Sequence, residues 1–134
     1  MKRRRYTHTE AFLYFGVTPR NTYWSWSGRS PDGETVVVTL WDHDLGMVRG
    51  RYSYEDRIDV SKLGGRFLCE DLEWALDRCN GRVHVIRAFA NDPRAEKIKI
   101  EDCEPASFTM KVARLDLESG EYVLQIELPE QLAA

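Results

Sequence analysis

The stretch that decides the fold is Asn21-Thr-Tyr-Trp-Ser-Trp-Ser-Gly28, followed after the turn Ser30-Pro31-Asp32-Gly33 by Glu34-Thr-Val-Val-Val-Thr-Leu-Trp41. Both flanking runs are rich in aromatic and β-branched residues, which favour strands. The turn has proline where φ must be about −65° and glycine where a positive φ is favoured. The sequence therefore predicts a β-hairpin, and three of the chain's four tryptophans lie in it.

The two faces of this hairpin differ, because side chains alternate along a strand. Trp24 and Trp26 are predicted to share the core face with the apolar residues Val36, Val38 and Leu40. The opposite face then carries a mixed polar and aromatic set: Tyr23, Ser25, Ser27, Val37, Thr39 and Trp41. A one-residue slip in register would exchange some of these assignments.

Two helices are predicted. Thr7 and Glu10 have the spacing of a capping box at the start of a helix over residues 8–15, which Gly16 ends. A longer helix over 67–79 is predicted from an apolar stripe at helical spacing and is ended by Asn80-Gly81. The stripe consists of Leu68, Leu72, Ala75, Leu76 and Cys79.

The remaining segments read as strands. Residues 47–54 alternate well enough for one strand with a bulge at Gly50, and 82–89 are apolar on both faces, as in a central strand. A short strand is predicted at 97–101, and a second hairpin pairs 108–117 with 121–128. The predicted fold is α+β: a small β-rich barrel-like or strongly curved sheet of six to seven strands with two helices.

Composition indicates one domain over residues 1–134, with a disordered basic tail at 1–6. No apolar run approaches the roughly 20 residues of a membrane span, and the basic start lacks the apolar stretch of a secretory signal. The expected location is cytoplasmic, with no membrane partner. The three cysteines form no CxxC pair and are expected to be reduced thiols.

The sequence contains none of the catalytic or cofactor-binding motifs that we considered. No lysine has an acidic residue two positions before it, which excludes a PD-(D/E)xK nuclease. Neither form of glycine-rich phosphate loop occurs, so no nucleotide cofactor is expected. Asp42-His43-Asp44 could hold a divalent ion but has no second cluster of ligands, and a solvated polar turn is the favoured interpretation.

The remaining constellation is aromatic and basic. Aromatic rings on adjacent strands, with arginines nearby, suit a base held by stacking while guanidinium groups contact phosphates. Polar side chains beside the rings could read the edge of a flipped base. The candidate binding residues are Asn21, Tyr23, Trp24, Ser25, Trp26, Arg29, Trp41, Asp42, Arg49 and Arg51. The competing interpretation is that strand aromatics, Trp24 and Trp26 above all, simply pack in the core.

The residues Phe12, Gly16, Asn21-Thr-Tyr-Trp-Ser-Trp and Trp41-Asp42 resemble N-terminal modules found ahead of bacterial HNH-type nucleases. The expected arrangement of strands and helices is also similar to PUA-like folds, which include EVE and SRA modules that read modified bases. This resemblance implies a pseudo-barrel with a base pocket, carried by Trp24, Trp26, Trp41, Asn21 and Asp42. The chain has no HNH core, so any nuclease would be a separately encoded partner protein.

Three functional hypotheses follow. The first is a non-catalytic domain that recognises nucleic acid, with a modified or unpaired base in an aromatic pocket flanked by arginines. The second is a protein-interaction adaptor or homo-oligomerising domain that uses an exposed aromatic strand face. The third is a small metal-dependent hydrolase built on Asp42, His43 and Asp44.

Overall fold

The computed structural model describes residues 5–19, 26–48, 51–59, 61–92, 94 and 99–127. Within them the chain forms two helices and one seven-stranded mixed sheet, which confirms the α+β, β-rich class. The elements are α1 (His8–Tyr14), β1 (Ser27–Arg29), β2 (Val36–Trp41), a 3₁₀ turn (Asp42–Asp44), β3 (Gly46–Val48), β4 (Arg51–Arg57), α2 (Leu63–Arg78), β5 (Arg82–Ala90), β6 (Ile100–Leu115) and β7 (Glu121–Ile126). Neither helix among these residues is both long enough and apolar enough to cross a bilayer.

The sheet has the strand order β1-β2-β5-β6-β7-β4-β3. Neighbouring strands are antiparallel except β2 and β5, which run parallel with Val37 beside His84. A parallel pair cannot be joined by a tight turn, and the connection here passes through β3, β4 and α2. The two most hydrophobic strands therefore lie next to each other although they are far apart in sequence.

The sheet must be strongly curved, because β2 and β3 are joined directly. They are five positions apart in the strand order, which in a flat sheet is about 24 Å. Residues 42–45 connect them, and a chain of that length reaches at most about 17 Å. Curvature brings the two ends of the sheet towards each other, yet β1 and β3 remain at opposite ends of the order. The sheet is open, so it is not a closed barrel.

The core has two parts, one on each face of the sheet. Between the sheet and α2, Val38, Val85, Leu72 and their neighbours form the larger cluster. On the other face, Phe12 of α1 packs with a second cluster that includes Val37 and Ile86. Strands β2 and β5 are thus covered on both sides, which confirms the prediction of a central strand over 82–89.

The register of the first hairpin differs from the prediction. Ser27 pairs with Val38, and the Thr39 amide donates to the Trp26 carbonyl at 2.8 Å. Trp26 therefore lies on the face of Thr39 and Trp41, not on the predicted core face with Val38, while Ser27 takes the buried position. The turn is longer than expected because the Ser30 amide donates to the Thr35 carbonyl, and this closure shifts the pairing by one residue. Tyr23, Trp24 and Ser25, which the same prediction covered, lie outside the described residues.

Three predicted segments were wrong in extent. The single strand over 47–54 is instead the antiparallel pair of β3 and β4, with Val48 beside Arg51, and the bulge predicted at Gly50 lies outside the described residues. The second helix begins at Leu63 rather than at 67. The strands predicted at 97–101 and 108–117 belong to the continuous β6, although 97–98 lie outside the described residues.

Other local predictions are confirmed. Thr7 and Glu10 form the predicted capping box, and Gly16 has a φ of +75° after the end of α1. The second hairpin pairs β6 with β7, with Leu115 beside Tyr122. On α2, Leu72 and Ala75 are buried as the apolar stripe predicts, whereas Leu76 is largely exposed.

Candidate functional site: an aromatic cleft at the open seam of the sheet

A cleft lies where the curved sheet fails to close. The β1–β2 ladder ends at Ser27 beside Val38, and the β3–β4 ladder ends at Gly46 beside Ser53. Beyond these points, the end of β2 and the second half of β4 border a cavity of about 210 Å³, and the first turn of α2 closes one side. The lining residues are Trp26, Thr39, Trp41, Tyr54, Asp56, Arg57, Ile58, Asp59, Lys62, Gly64, Gly65, Leu68 and Tyr122.

Two aromatic pairs line the cleft. The rings of Trp26 and Trp41 have centroids 5.6 Å apart and planes inclined by 56°. Tyr54 and Tyr122, from β4 and β7, have centroids 6.2 Å apart and planes inclined by 31°. Trp26 and Trp41 are partly exposed and can offer apolar contact and stacking to a flat ligand, whereas Tyr54 and Tyr122 are almost completely buried beside them. The one-residue shift in register is what places Trp26 beside Trp41.

The hydroxyl groups of the two tyrosines stay protonated. Burial raises the pKa of Tyr54 and that of Tyr122 above their usual range. The negative charge of Asp56 raises both values further, and Asp44 adds to the effect on Tyr54. A phenol held in its neutral form can donate a hydrogen bond as well as accept one.

The carboxylate of Asp59 is held in its charged form. Its Oδ1 accepts hydrogen bonds from the amide of Ser61 at 3.0 Å and from its hydroxyl at 2.5 Å. These bonds lower the pKa of Asp59, and Lys62, with Nζ 4.0 Å from Oδ2, adds a smaller effect. Asp59 also lies against α2, because a Cβ on Gly65 would approach the Asp59 carbonyl oxygen to 2.1 Å. Only glycine fits there, and that fit brings the helix up to the cleft.

The two cations of the cleft lie at its mouth. Arg57 is mostly exposed and its Nη2 donates to Glu121 at 2.6 Å, so its guanidinium is drawn towards β7. Lys62 precedes α2, and its side chain is 79% exposed. The wall of the cleft is thus aromatic, and its four charged side chains, Asp56, Arg57, Asp59 and Lys62, are all exposed to solvent.

The structure brings together two of the ten residues proposed from sequence, Trp26 and Trp41. Arg29 lies elsewhere, with Nε 3.0 Å from the buried carboxylate of Asp71. Asp42 accepts two hydrogen bonds from Arg87, at 2.9 and 2.7 Å. Both side chains are engaged in ion pairs outside the cleft lining, so the predicted flanking by Arg29 is replaced by Arg57 and Lys62. Five further candidates, together with the side chain of the sixth, lie outside the described residues: Asn21, Tyr23, Trp24, Ser25, Arg49 and the side chain of Arg51.

Sequence reasoning missed Tyr122, Asp56, Asp59 and Lys62 as members of the site. Tyr122 was placed in the second predicted hairpin, but nothing in its local sequence points to a partner on β4. The acidic residues belong to a polar run that reads as an ordinary loop. Their role depends on the curvature of the sheet, which is a property of the topology and not of any local pattern.

The alternative chemical sites have limited support. Within the described residues, no three His, Cys, Asp or Glu side chains are grouped so that they could hold a metal ion. Burial raises the pKa of the Cys69 thiol and that of the Cys79 thiol, which opposes formation of the thiolate that a nucleophile requires. Asp42, one of the three residues of the hydrolase hypothesis, is paired with Arg87.

His8 lies next to Thr39 and Trp26, two residues of the cleft lining. We expect its titration to make the stability of the fold depend on pH. Its Nε2 lies 2.7 Å from the Thr39 hydroxyl, and its ring is 6.3 Å from that of Trp26. Burial lowers its pKa from 6.5 to about 4. Below pH 6.5 the unfolded chain binds a proton that the folded chain does not, so stability is complete at pH 7 and falls as the pH approaches 4. We expect a loss of at most about 3 kcal/mol over that range.

Chemical denaturation at pH 7, 6, 5 and 4 checks this expectation when wild type is compared with His8→Gln. The variant keeps a polar group near Thr39 but cannot titrate, so its free energy of unfolding should fall less steeply than that of wild type. Parallel curves for the two proteins would show that His8 does not contribute.

The chain was compared with protein-family models, with curated proteins and with solved structures, and none matches. The class that the fold and the cleft define is therefore an α+β domain with an open, curved sheet and an aromatic cleft at its seam.

Proposed function

We propose that this domain is a non-catalytic nucleic-acid reader that holds one unpaired, modified base in the cleft. The observation that carries the proposal is the cavity between the Trp26–Trp41 pair and the Tyr54–Tyr122 pair. Its volume of about 210 Å³ is below the roughly 300 Å³ at which sites for larger ligands begin. A single base fits this size better than a whole nucleotide does.

The distribution of charge supports the same proposal. Arg57 and Lys62 lie at the mouth and are mostly exposed, where the phosphates of a strand would run while one base points inward. Contacts between basic side chains and phosphates weaken steeply with salt, whereas stacking does not. With a net charge of −3, the chain would rely on the base for much of its affinity.

The architecture supports a PUA-like assignment within this proposal. The resemblance implies a pseudo-barrel with a base pocket, and the features that support it are the strong curvature of the open sheet and the pocket at its seam. Trp26 and Trp41 are the two residues of the implied base pocket that the structure describes within the cleft.

A second candidate function is a protein-interaction adaptor. Met47 and Tyr52, on the short hairpin of β3 and β4, are exposed large hydrophobic residues. The Tyr52 ring stacks on Phe108 with centroids 6.0 Å apart, which gives a rigid apolar surface beside the edge strand β3. Such a surface would pair with a partner protein or with a second copy of the chain, and that association would not weaken with salt.

Binding of fluorescently labelled single-stranded DNA and RNA, with and without modified bases, tests the proposal by anisotropy at two salt concentrations. Anisotropy is preferred because replacing a tryptophan would also remove an intrinsic reporter. We expect Trp41→Ala to weaken binding about 5- to 150-fold, since loss of a stacked ring costs about 1–3 kcal/mol per base. Trp41→Phe should retain part of the affinity.

Tyr14→Ala is the matched control, because Tyr14 is an exposed aromatic residue on α1 outside the cleft. It should bind as wild type does. If no oligonucleotide binds the folded wild-type chain, the nucleic-acid proposal is wrong. Concentration-dependent association that Met47→Ser or Tyr52→Ser abolishes would then support the adaptor.

A further inference from the structure

We infer that the site binds two successive nucleotides of a single strand, and that the second base stacks on His43, outside the cleft. The inference rests on the proposed function and adds a second position to it. The observation that carries it is a row of three aromatic rings, Trp26, Trp41 and His43, which begins in the cleft and ends at the surface.

The spacing of the rings in this row is nearly uniform. The Trp41 ring lies in the middle, with its centroid 5.6 Å from that of Trp26 and 5.5 Å from that of His43. The planes of Trp41 and His43 are inclined by 38°, compared with 56° between the two tryptophans. Both tryptophans line the cleft, whereas His43 is not a lining residue. The row therefore extends the aromatic surface of the cleft beyond its border.

The 3₁₀ turn after β2 gives His43 this position. β2 ends at Trp41, and Asp42–Asp44 form the turn directly after it. The Asp42 carboxylate accepts two hydrogen bonds from Arg87 of β5, and these bonds attach the turn to the sheet. The His43 side chain is 26% exposed, so part of it is open to a ligand. A ring that is positioned before binding loses little conformational freedom when a ligand stacks on it.

Successive rings suit successive bases of a single strand. Unpaired bases can be splayed apart and stacked on aromatic side chains, histidine included. Such stacking tolerates any base, because every base has a π-face, and it contributes about 1–3 kcal/mol per base. A duplex cannot use the row without unpairing and unstacking its bases. The expected occupant is therefore a single strand, with one base in the cleft and its neighbour on His43.

The charges beside His43 indicate that the second base, and not its phosphate, makes the contact. Oδ1 of Asp44 lies 3.7 Å from Nε2 of His43, and the Asp44 side chain is 54% exposed. The charge of Asp42 is compensated by Arg87 at 2.7 Å, whereas the exposed carboxylate of Asp44 repels a nearby phosphate. The gain in affinity from the second base should therefore be nearly independent of salt, unlike contacts between phosphates and the basic groups at the mouth.

The test is calorimetric titration of the full chain with DNA hexamers that carry the same phosphates and differ only in the number of bases. All sugars are stable abasic analogues except two adjacent ones in the middle, which carry two adenines, two N6-methyladenines, two cytosines or two 5-methylcytosines. One-base hexamers keep only the first or only the second of these bases. We expect at least one two-base hexamer to bind about 5- to 150-fold more tightly than the better of its one-base analogues, because it stacks one more base. This ratio of affinities should be the same at low and high salt.

His43→Ala should bring the two-base and one-base hexamers to nearly equal affinity, whereas His43→Phe, which keeps a ring, should retain most of the ratio. Tyr14→Ala is the matched control, because it removes an exposed ring outside the row, and its ratio should be that of wild type. Circular dichroism checks that each variant is folded.

Three results would overturn the inference and leave the proposed function standing. The first is equal affinity of wild type for two-base and one-base hexamers, and the second is a ratio that His43→Ala does not reduce. The third is binding of oligonucleotides that carry every base without binding of any two-base hexamer, because more than two bases would then be required. Failure of every hexamer and every oligonucleotide to bind the folded chain would overturn both the inference and the proposed function.

Discussion

Gly120→Ala is expected to lower the free energy of unfolding by about 3 kcal/mol, and Gly16→Ala by about 1 kcal/mol. Both glycines have positive φ values, +79° and +75°, so both substitutions place an alanine in the left-handed region. They differ in their surroundings. A Cβ on Gly120 would lie 2.4 Å from the carbonyl oxygen of Ile58, whereas a Cβ on Gly16 meets nothing within 4 Å.

The close approach between Gly120 and Ile58 lies beside the cleft, because Ile58 is one of the lining residues. The Ile58 amide donates to the Gly120 carbonyl at 2.8 Å, which joins the β6–β7 turn to the segment that follows β4. An alanine would push these segments apart and displace Ile58, which lines the cleft. Urea denaturation of the two variants and wild type measures the effect. Equal destabilisation by both substitutions would mean that the left-handed conformation, and not the contact with Ile58, accounts for the cost.

Asp71→Ala is expected to destabilise the fold by about 3 kcal/mol. Asp71 lies on α2 and is fully buried. Its Oδ2 accepts from the Ser27 hydroxyl at 2.5 Å, and its Oδ1 lies 3.0 Å from Nε of Arg29. Removing the carboxylate leaves a buried hydroxyl without this acceptor and a half-buried guanidinium without this counter-charge, and both carry a desolvation cost. Arg29 also lies 4.5 Å from the centroid of the Trp74 ring, which limits how far it can move to reach water.

A double-mutant cycle separates the ion pair from the rest of this site. Arg29→Ala, Asp71→Ala and the double variant are measured by thermal and urea denaturation, with Asp77→Ala as an exposed control on the same helix. The double variant should be less destabilised than the sum of the two single variants, by about 1–2 kcal/mol. Additive losses would show that Asp71 acts through Ser27 and packing, without coupling to Arg29.

Local patterns were sufficient to predict much of the secondary structure. The capping box of Thr7 and Glu10 and the alternation in β6 and β7 each depend on residues that are close in sequence, and each was found where predicted. Strand β5 was recognised as central because its residues are apolar on both faces. Each of these features depends on side chains that are close in sequence, so it can be predicted from a single sequence.

The errors arose where a backbone contact decides the outcome. The register of the first hairpin depends on the bond from the Ser30 amide to the Thr35 carbonyl, which no side-chain pattern reveals. The early start of α2 depends on the fit of Gly65 against the Asp59 carbonyl. Glycines at 64 and 65 suggest a flexible connection in sequence, because their low helix propensity is visible and the contact that offsets it is not.

The aromatic character of the candidate site was predictable from sequence, but only some of its residues were. Clustering of aromatic residues between 21 and 54 pointed to Trp26 and Trp41, which lie together in the cleft. Arg29 and Asp42 were chosen by proximity in sequence, yet each is paired with a residue far along the chain, Asp71 and Arg87. Tyr122 reaches the cleft only because β7 pairs with β4. Membership of the site thus follows from strand order, which local sequence does not encode.

The short connection between β2 and β3 limits how far the two walls of the cleft can separate. Three of the four connecting residues, Asp42–Asp44, are wound as a 3₁₀ turn. Unwinding them to an extended strand lengthens the connection by about 4 Å, and this is the largest spreading that the covalent tether allows between Trp41 and Gly46. The width of the cleft can therefore increase by about the thickness of one layer of atoms and no further. For the proposed function, the number of residues in that connection would limit the thickness of the ligand, independently of the side chains that line the cleft.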